Sequence, residues 1–407
     1  MANVSSSNGL EKRPKLRFPG FDEPYKQCRI GDIYVERSQR GASDMELLSV
    51  TMNDGVKPRS EIEGKDNSSE DKSNYKIVRK GDMVYNSMRM WQGANGISPC
   101  DGIVSPAYTV LMPKQEINNG YFAALFKSVT LINEFRKNSQ GMTSDTWNLK
   151  YPQIETIKVQ IPSVCEQDKV SELFSVLDER IAAQSQLVES LKKYKRGVFE
   201  AVFSQKLRLV PTELQKPWKQ YKLSDFATRV TRKNGKQTDI PLTISAQYGL
   251  IDQRNFFSKT VASTDMSGYY LLQKGEYAYN RSTSNDYPFG SIKRLELYTM
   301  GAVSTLYLCF AIKEEVVNSD LAKWYFESSQ WYKGINNICA EGARNHGLLN
   351  VPTDGFFNTV HTLPSDPNEQ LAIVNYLSNI QKKYETAQRC LQVIENLRSG
   401  LLQQLFI

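Results

Sequence analysis

The chain has 407 residues, enough for two or three domains with a real core in each. Its net charge of +7 and pI near 8.9 lean towards polyanionic partners without requiring them. Six cysteines without close pairing indicate neither a disulfide framework nor a zinc site, and two histidines, His346 and His361, argue against metal hydrolysis and a histidine base.

Taken in order, residues 1–14 are polar and serine-rich, and a disordered tail is expected there. Order begins near Leu16, and the segment Tyr25 to Ile33 has a relative at Trp218 to Phe226, shifted by 193. The polar stretch Ser60 to Asn74 reads as a solvated loop; its Glu70-Asp71-Lys72 resembles the tail of a nuclease motif, but no Pro-Asp pair precedes it. Tyr75 to Asn86 reads as strand, glycine turn, strand, and Tyr269 to Asn280 repeats it at a shift of 194. Gly102 to Tyr108 returns as Gly301 to Tyr307 at 199. Short helical segments are expected around Tyr121 to Arg136 and Leu321 to Asn336, followed by Gly141 and Gly342 at the heads of polar loops, 201 apart.

Two long helices close the halves, from Glu166 to Gln205 and from Glu369 to Ile407, shifted by 203. In the first, Val170, Phe174, Leu177, Ile181, Gln184, Val188, Leu191, Tyr194, Val198 and Val202 recur every three or four residues. In the second, the stripe is Ile373, Leu377, Ile380, Tyr384, Ala387, Leu391, Ile394, Leu397, Leu401 and Leu405. Helices of nearly forty residues run roughly 55–60 Å and must bury such a stripe, each most simply against its copy. Gln184 and Ala387 are the weak point, where the amide either fixes register or is solvated. Ser163 with Glu166, and Asp366 with Glu369, have the spacing of capping boxes, with Pro367 at a first helical position. The rising shifts mark two diverged copies of one unit, each a globular part followed by a long helix. Such a duplication suits a target with two half-sites.

Loops after the second strand of each pair carry Asn86, Ser87, Arg89, Trp91 and Gln92 in the first copy, and Asn280, Arg281, Ser282, Thr283, Ser284 and Asn285 in the second. Asn, Gln and Arg read base edges bidentately, and these loops differ where their flanking strands match, so base readout is expected there, with Arg344 and Asn345 as further candidates. Arg37, Arg40, Arg229, Arg232 and Lys233, with Thr143 and Ser144, are candidates for phosphate contact. A solvated surface is the plain alternative. The chain has no Gly-rich phosphate loop, no Asn-Pro-Pro-Tyr and no Ser-His-Asp pattern, so neither ATP hydrolysis nor methyl transfer is expected of it. It also lacks an apolar run of eighteen residues and a signal-peptide pattern, so a cytoplasmic location away from membranes is expected.

One ordered set of motifs carries a resemblance. Lys15-Leu16-Arg17-Phe18-Pro19-Gly20-Phe21, Lys80-Gly81-Asp82, Lys274-Gly275-Glu276, and the entries Ile161-Pro162 to Glu166-Gln167 and Leu363-Pro364 to Glu369-Gln370 together resemble the specificity subunit of a type I restriction-modification enzyme over nearly the whole chain. The resemblance implies an α/β (α+β) fold with two pseudo-symmetric α/β target-recognition domains, each with a small curved sheet, separated by two long antiparallel helices forming a coiled coil. The segments are a tail (1–14), a first recognition domain (15–160), a first spacer helix (161–208), a second recognition domain (209–362) and a second spacer helix (363–407). Each domain reads one half of a split double-stranded DNA site, while the helices set the unread spacer and dock two methyltransferase subunits. The chain itself binds no cofactor. Partner subunits bring S-adenosylmethionine, and motor/endonuclease subunits bring ATP and Mg²⁺. The competing expectation is a coiled-coil scaffold with repeated protein-binding domains.

Overall fold

The computed structural model describes residues 13–41, 44–52, 54–245, 248–256, 263, 265–284, 287–339 and 347–407. Two units divide the chain: Met1–Gln186 with Arg389–Ile407, and Leu187–Gln388. Of the expected disordered tail, residues 1–12 lie outside the described residues.

In the first unit the chain runs through β1 (Lys26–Arg29), α1 (Ile30–Ile33), β2 (Tyr34–Glu36), β3 (Leu47–Thr51), β4 (Gly55–Pro58), β5 (Lys76–Val78), β6 (Met83–Asn86), β7 (Asn95–Ile97), β8 (Gly102–Val104) and β9 (Tyr108–Pro113). Then come α2 (Asn119–Leu125), α3 (Val129–Asn138), α4 (Tyr151–Ile154), β10 (Lys158–Ile161) and the long α5 (Val164–Phe203). Two four-stranded sheets form, in the orders β2-β9-β6-β7 and β4-β3-β8-β5, and β1 pairs antiparallel with β10. The first of these sheets, with α2 and α3, buries Tyr34, Phe122, Phe126 and Phe135 in edge-on ring contacts, and the second packs a separate core of Leu48, Val50, Val56, Val78 and Val104.

The expected strand, glycine turn, strand is therefore no hairpin: β5 pairs with β8 and β6 with β7 and β9, so the chain passes between two sheets at Gly81, where φ is +89°. Asp82 holds the crossing by accepting from the Arg79 amide at 2.8 Å and from Arg37 Nε at 2.7 Å. A glycine with positive φ followed by an acid is what the Lys80-Gly81-Asp82 motif supplies.

The second unit repeats the plan with β11 (Lys219–Lys222), α6 (Leu223–Phe226), β12 (Ala227–Arg229), β13 (Leu242–Ser245), β14 (Gly249–Asp252), α7 (Gln253–Phe256), β15 (Tyr270–Gln273), β16 (Tyr277–Asn280), β17 (Ser291–Arg294), β18 (Met300–Val303) and β19 (Leu308–Ile312). These are followed by α8 (Ser319–Phe326), α9 (Tyr332–Ile338), α10 (Thr353–Phe357), β20 (Val360–Leu363) and the long α11 (Pro367–Gln404). The sheet β12-β19-β16-β17 matches β2-β9-β6-β7, and β11 pairs with β20 as β1 does with β10. Glu276 takes the place of Asp82, accepting from the Gln273 amide at 2.7 Å and from Arg232 at 2.8 Å. The short helical segments expected around 121–136 and 321–336 form a pair of helices in each unit; in the first, Ser128 ends one run and caps the next, accepting from the Leu131 amide at 3.3 Å.

Each unit joins one end of α5 to one end of α11, antiparallel. In the first, Phe174 stacks on Phe406 with centroids 5.9 Å apart, and Asp178 pairs with Arg398. In the second, Val198, Phe199 and Val202 share a core with Ile373, Val374, Leu377 and Ile380. Of the expected stripe, Val170, Phe174, Val188, Ile373, Leu377 and Ile380 are buried, while Leu177, Ile181, Leu191, Tyr384, Leu391 and Ile394 are half-buried. Tyr194 and Leu397, each 53% exposed, leave the stripe. A strict heptad spacing drifts about 20° per heptad on a straight helix, and over this length the facing position passes to the next residue. There stand the repeat-equivalent cations Lys195, 5.4 Å from the Tyr384 ring, and Arg398, 5.8 Å from the Phe174 ring. Gln184 is buried, which removes the solvated alternative.

Neither glutamate closes a capping box. Glu166 accepts from Arg17 Nε at 2.9 Å and Nη2 at 2.8 Å, and Glu369 accepts from Arg208 Nε at 2.6 Å and Nη2 at 2.9 Å. A bidentate guanidinium in a buried setting outweighs a neutral amide as partner. Arg17 lies on the Tyr25 ring and Arg208 on the Trp218 ring. The neighbouring glutamines act alike: Gln167 accepts from the Asn118 amide at 3.0 Å and donates to Pro162 O at 3.1 Å, and Gln370 accepts from the Asn318 amide at 2.8 Å and donates to Pro364 O at 2.9 Å. The Glu-Gln pair thus fastens each long helix to its own globular part.

One buried group makes the second unit acid-sensitive. His361 on β20 faces the Tyr325 hydroxyl at 3.1 Å and the Thr359 hydroxyl at 2.8 Å, and burial lowers its pKa to about 4. The unfolded chain, titrating near 6.5, takes up the proton first, so stability is full above that value and falls by up to about 3 kcal/mol as pH drops towards 4. Urea midpoints at pH 7 and pH 5 should show this loss, reduced in His361→Gln; an equal loss in the variant would assign it to other groups.

Candidate nucleic-acid interface

The loops expected to read bases start from one device in both units. Asn86 accepts from the Met88 amide at 3.0 Å and Asn280 from the Ser282 amide at 3.0 Å, so these side chains shape the backbone as the chain leaves β6 and β16. A second loop is laced to each. The Leu149 amide donates to Ser87 O at 2.8 Å, and the Leu349 amide to Arg281 O at 3.0 Å, with the Thr283 amide on Gly347 O at 2.7 Å.

Several expected contact residues already have partners within the protein, although Arg40, Arg232 and Lys233 stay exposed. Ser87 is buried with its hydroxyl 2.8 Å from that of Thr109, so it presents no edge to solvent. Arg281 donates to Leu306 O at 2.9 Å and Val351 O at 3.4 Å, bracing its loop from within. Arg37 and Arg232 are held by Asp82 and Glu276, where phosphates were expected. Lys233 donates to Gly268 O at 2.9 Å and lies 4.4 Å from the Tyr270 ring, and Arg40 is bonded to Asn74. The common reason is that matched strand ends need matched internal partners, and polar residues there serve the scaffold first.

Arg89, Gln92, Arg229, Ser282, Thr143 and Ser144 are exposed, and Trp91 and Thr283 are half-buried. Asn285, Arg344 and Asn345 lie outside the described residues. Around Trp91 the first unit gathers residues that were not singled out: Trp147 meets its ring edge-on with centroids 5.2 Å apart, the Arg136 guanidinium lies 5.7 Å from its centroid, and Met142 is fully exposed beside Thr143. The signal was a tryptophan three residues beyond Ser144 in an otherwise polar loop. Exposed Arg89, Arg136 and Lys150 make this surface cationic, suited to a polyanion with flat, stackable groups.

Residues 23–193 match the family described as the type I restriction modification DNA specificity domain. That span covers the first unit's globular part and most of α5, and the second unit reproduces the same elements. Over residues 23–193 the chain is similar to the type I restriction-modification specificity family. No curated protein matches it. Among solved structures, this chain is similar to the crystal structure of a type I restriction-modification S subunit from M. genitalium, with TM-score 0.57 and 13% identity over 97% of this chain and 99% of that one. It is also similar to a chain from a structural study of assembly and conformational transition in a type I restriction-modification system, with TM-score 0.55 and 12% identity over 95% of this chain and 98% of the other. At such identities the likeness speaks to fold alone. No helix among the described residues of the chain is long and apolar enough to cross a membrane.

Proposed function

We propose that this chain confers DNA sequence specificity on a type I restriction-modification complex, each unit reading one half of a bipartite double-stranded site. The observation that carries this is the duplication itself: two units share the order of one four-stranded sheet, helix fastening and internal clamps, yet differ in the loops after β6 and β16. Variation confined to loops on a repeated scaffold is the expected mark of two different readouts. Exposed Arg89 and Gln92 in the first unit and Ser282 and Thr283 in the second remain the readout candidates; Arg229, Thr143 and Ser144 are the phosphate candidates.

The recognition domains span residues 15–160 and 209–362, and the long helices, 161–208 and 363–407, set the unread spacer and dock two methyltransferase subunits. This chain contributes no catalysis and binds no cofactor. Methyltransferase subunits bring S-adenosylmethionine, and motor/endonuclease subunits bring ATP and Mg²⁺, all in the cytoplasm. The test is duplex binding by the cognate methyltransferase with and without this chain at physiological salt. Binding that depends on the chain supports the reading, and binding indifferent to it favours the scaffold alternative.

A further inference from the structure

Arg136 stands in the last turn of α3 with its guanidinium 5.7 Å from the Trp91 ring centroid. Trp91 is itself fixed twice, by the Trp147 ring edge at 5.2 Å and 79° and by its indole N–H donating to Met88 O at 3.1 Å. The acid nearest along α3, Glu134, is taken by Lys137 at 2.7 Å, and among the described residues no carboxylate pairs with Arg136. A guanidinium drawn over a ring in this way is partly ordered, while the exposed side chain keeps its N–H donors free to reach a ligand. Less rotamer freedom is then left to lose on binding. Of the other arginines near these loops, Arg37 pairs with Asp82, Arg232 with Glu276 and Arg281 with two carbonyls, while Arg89 is exposed beside Arg136's own partner Trp91. At the matching place on α9 the second unit carries Asn336.

We propose that Arg136, held over Trp91, which Trp147 braces, reads a guanine in the first unit's half-site by donating bidentately to its O6 and N7. This rests on the specificity reading above. It makes the two units chemically unlike: a rigid cationic fork in the first, hydroxyl and amide groups in the second. Trp91 and Trp147 are positioning residues for that fork.

The test maps modified adenines in an unmethylated host expressing the full chain with its cognate methyltransferase, as wild type, Arg136→Lys, Arg136→Ala and Trp91→Leu. The wild-type half-site assigned to the first unit contains a guanine. Both Arg136 variants admit other bases there, with discrimination reduced about 5- to 150-fold, and leave the other half-site and the spacer unchanged. Trp91→Leu loosens the same position. Lysine keeps the charge but not the fork, so a phosphate contact predicts near-normal sites in Arg136→Lys and uniform loss in Arg136→Ala; that pattern overturns the proposal. So does a first half-site without guanine, or unaltered discrimination in both variants. Because Arg136 is exposed, unchanged thermal unfolding of Arg136→Lys serves as the folding control. If the modified sites never depend on this chain, the specificity reading fails, a result distinct from these.

Discussion

Glu369→Ala is expected to destabilise the second unit by about 3 kcal/mol, and Glu166→Ala the first by a similar amount. Each carboxylate is nearly fully buried, and its arginine is 14–15% exposed with one face on an aromatic ring. Truncating the acid leaves a guanidinium half-withdrawn from water without its bidentate partner, and this stranded charge is the main cost. For units of this size the loss corresponds to about 6–12 °C in Tm. The double variant Arg208→Met with Glu369→Leu should regain most of it, since an apolar pair of similar volume avoids the desolvation of both ions. Calorimetry of the three chains decides the matter: a loss under about 1 kcal/mol in Glu369→Ala would rank the pair with ordinary surface salt bridges.

Exchange of residues 15–160 for those of a relative with a different site is expected to replace one half-site and leave the other and the spacer intact. Most of the first unit's internal partners lie within that segment, but several do not, among them the Asn118 amide on Gln167. Arg17 reaches Glu166, and the Leu16 amide donates to Gln404 O at 2.9 Å. The donor segment must therefore bring its own arginine at position 17, or the exchange will report the lost clamp rather than recognition. With that arginine kept, the modified-adenine map should show one new half-site. New sequence in both halves would contradict separate reading by the two units.

The long helices were legible because a repeated stripe and a constant shift of 203 are local signals that any forty-residue helix must carry. The glycine crossings at Gly81 and Gly275 were legible as turns, but not as passages between two sheets, since strand partners such as β5 and β8 are chosen by distant sequence. The helix entries show the same limit. Glu166 and Glu369 sit at capping-box spacing, and the partners that claim them lie 149 and 161 residues away. A clue to that pairing stood in Lys15-Leu16-Arg17 and Lys206-Leu207-Arg208, a further repeat at a shift of 191 that places one arginine before each globular part. Side-chain direction was least legible: Ser87 and Arg281 belong to loops with the right composition, yet one hydroxyl is buried and one guanidinium is tied to carbonyls. Exposed Arg136 and half-buried Trp147 come from two other segments that folding gathers around Trp91.

The most direct measurement is a map of every modified adenine in an unmethylated host that expresses the cognate methyltransferase with this chain, and again without it. A split motif with modified adenines on opposite strands, present only with the chain, is the predicted result. An active methyltransferase whose sites are the same when the chain is omitted would contradict the assignment of specificity to it.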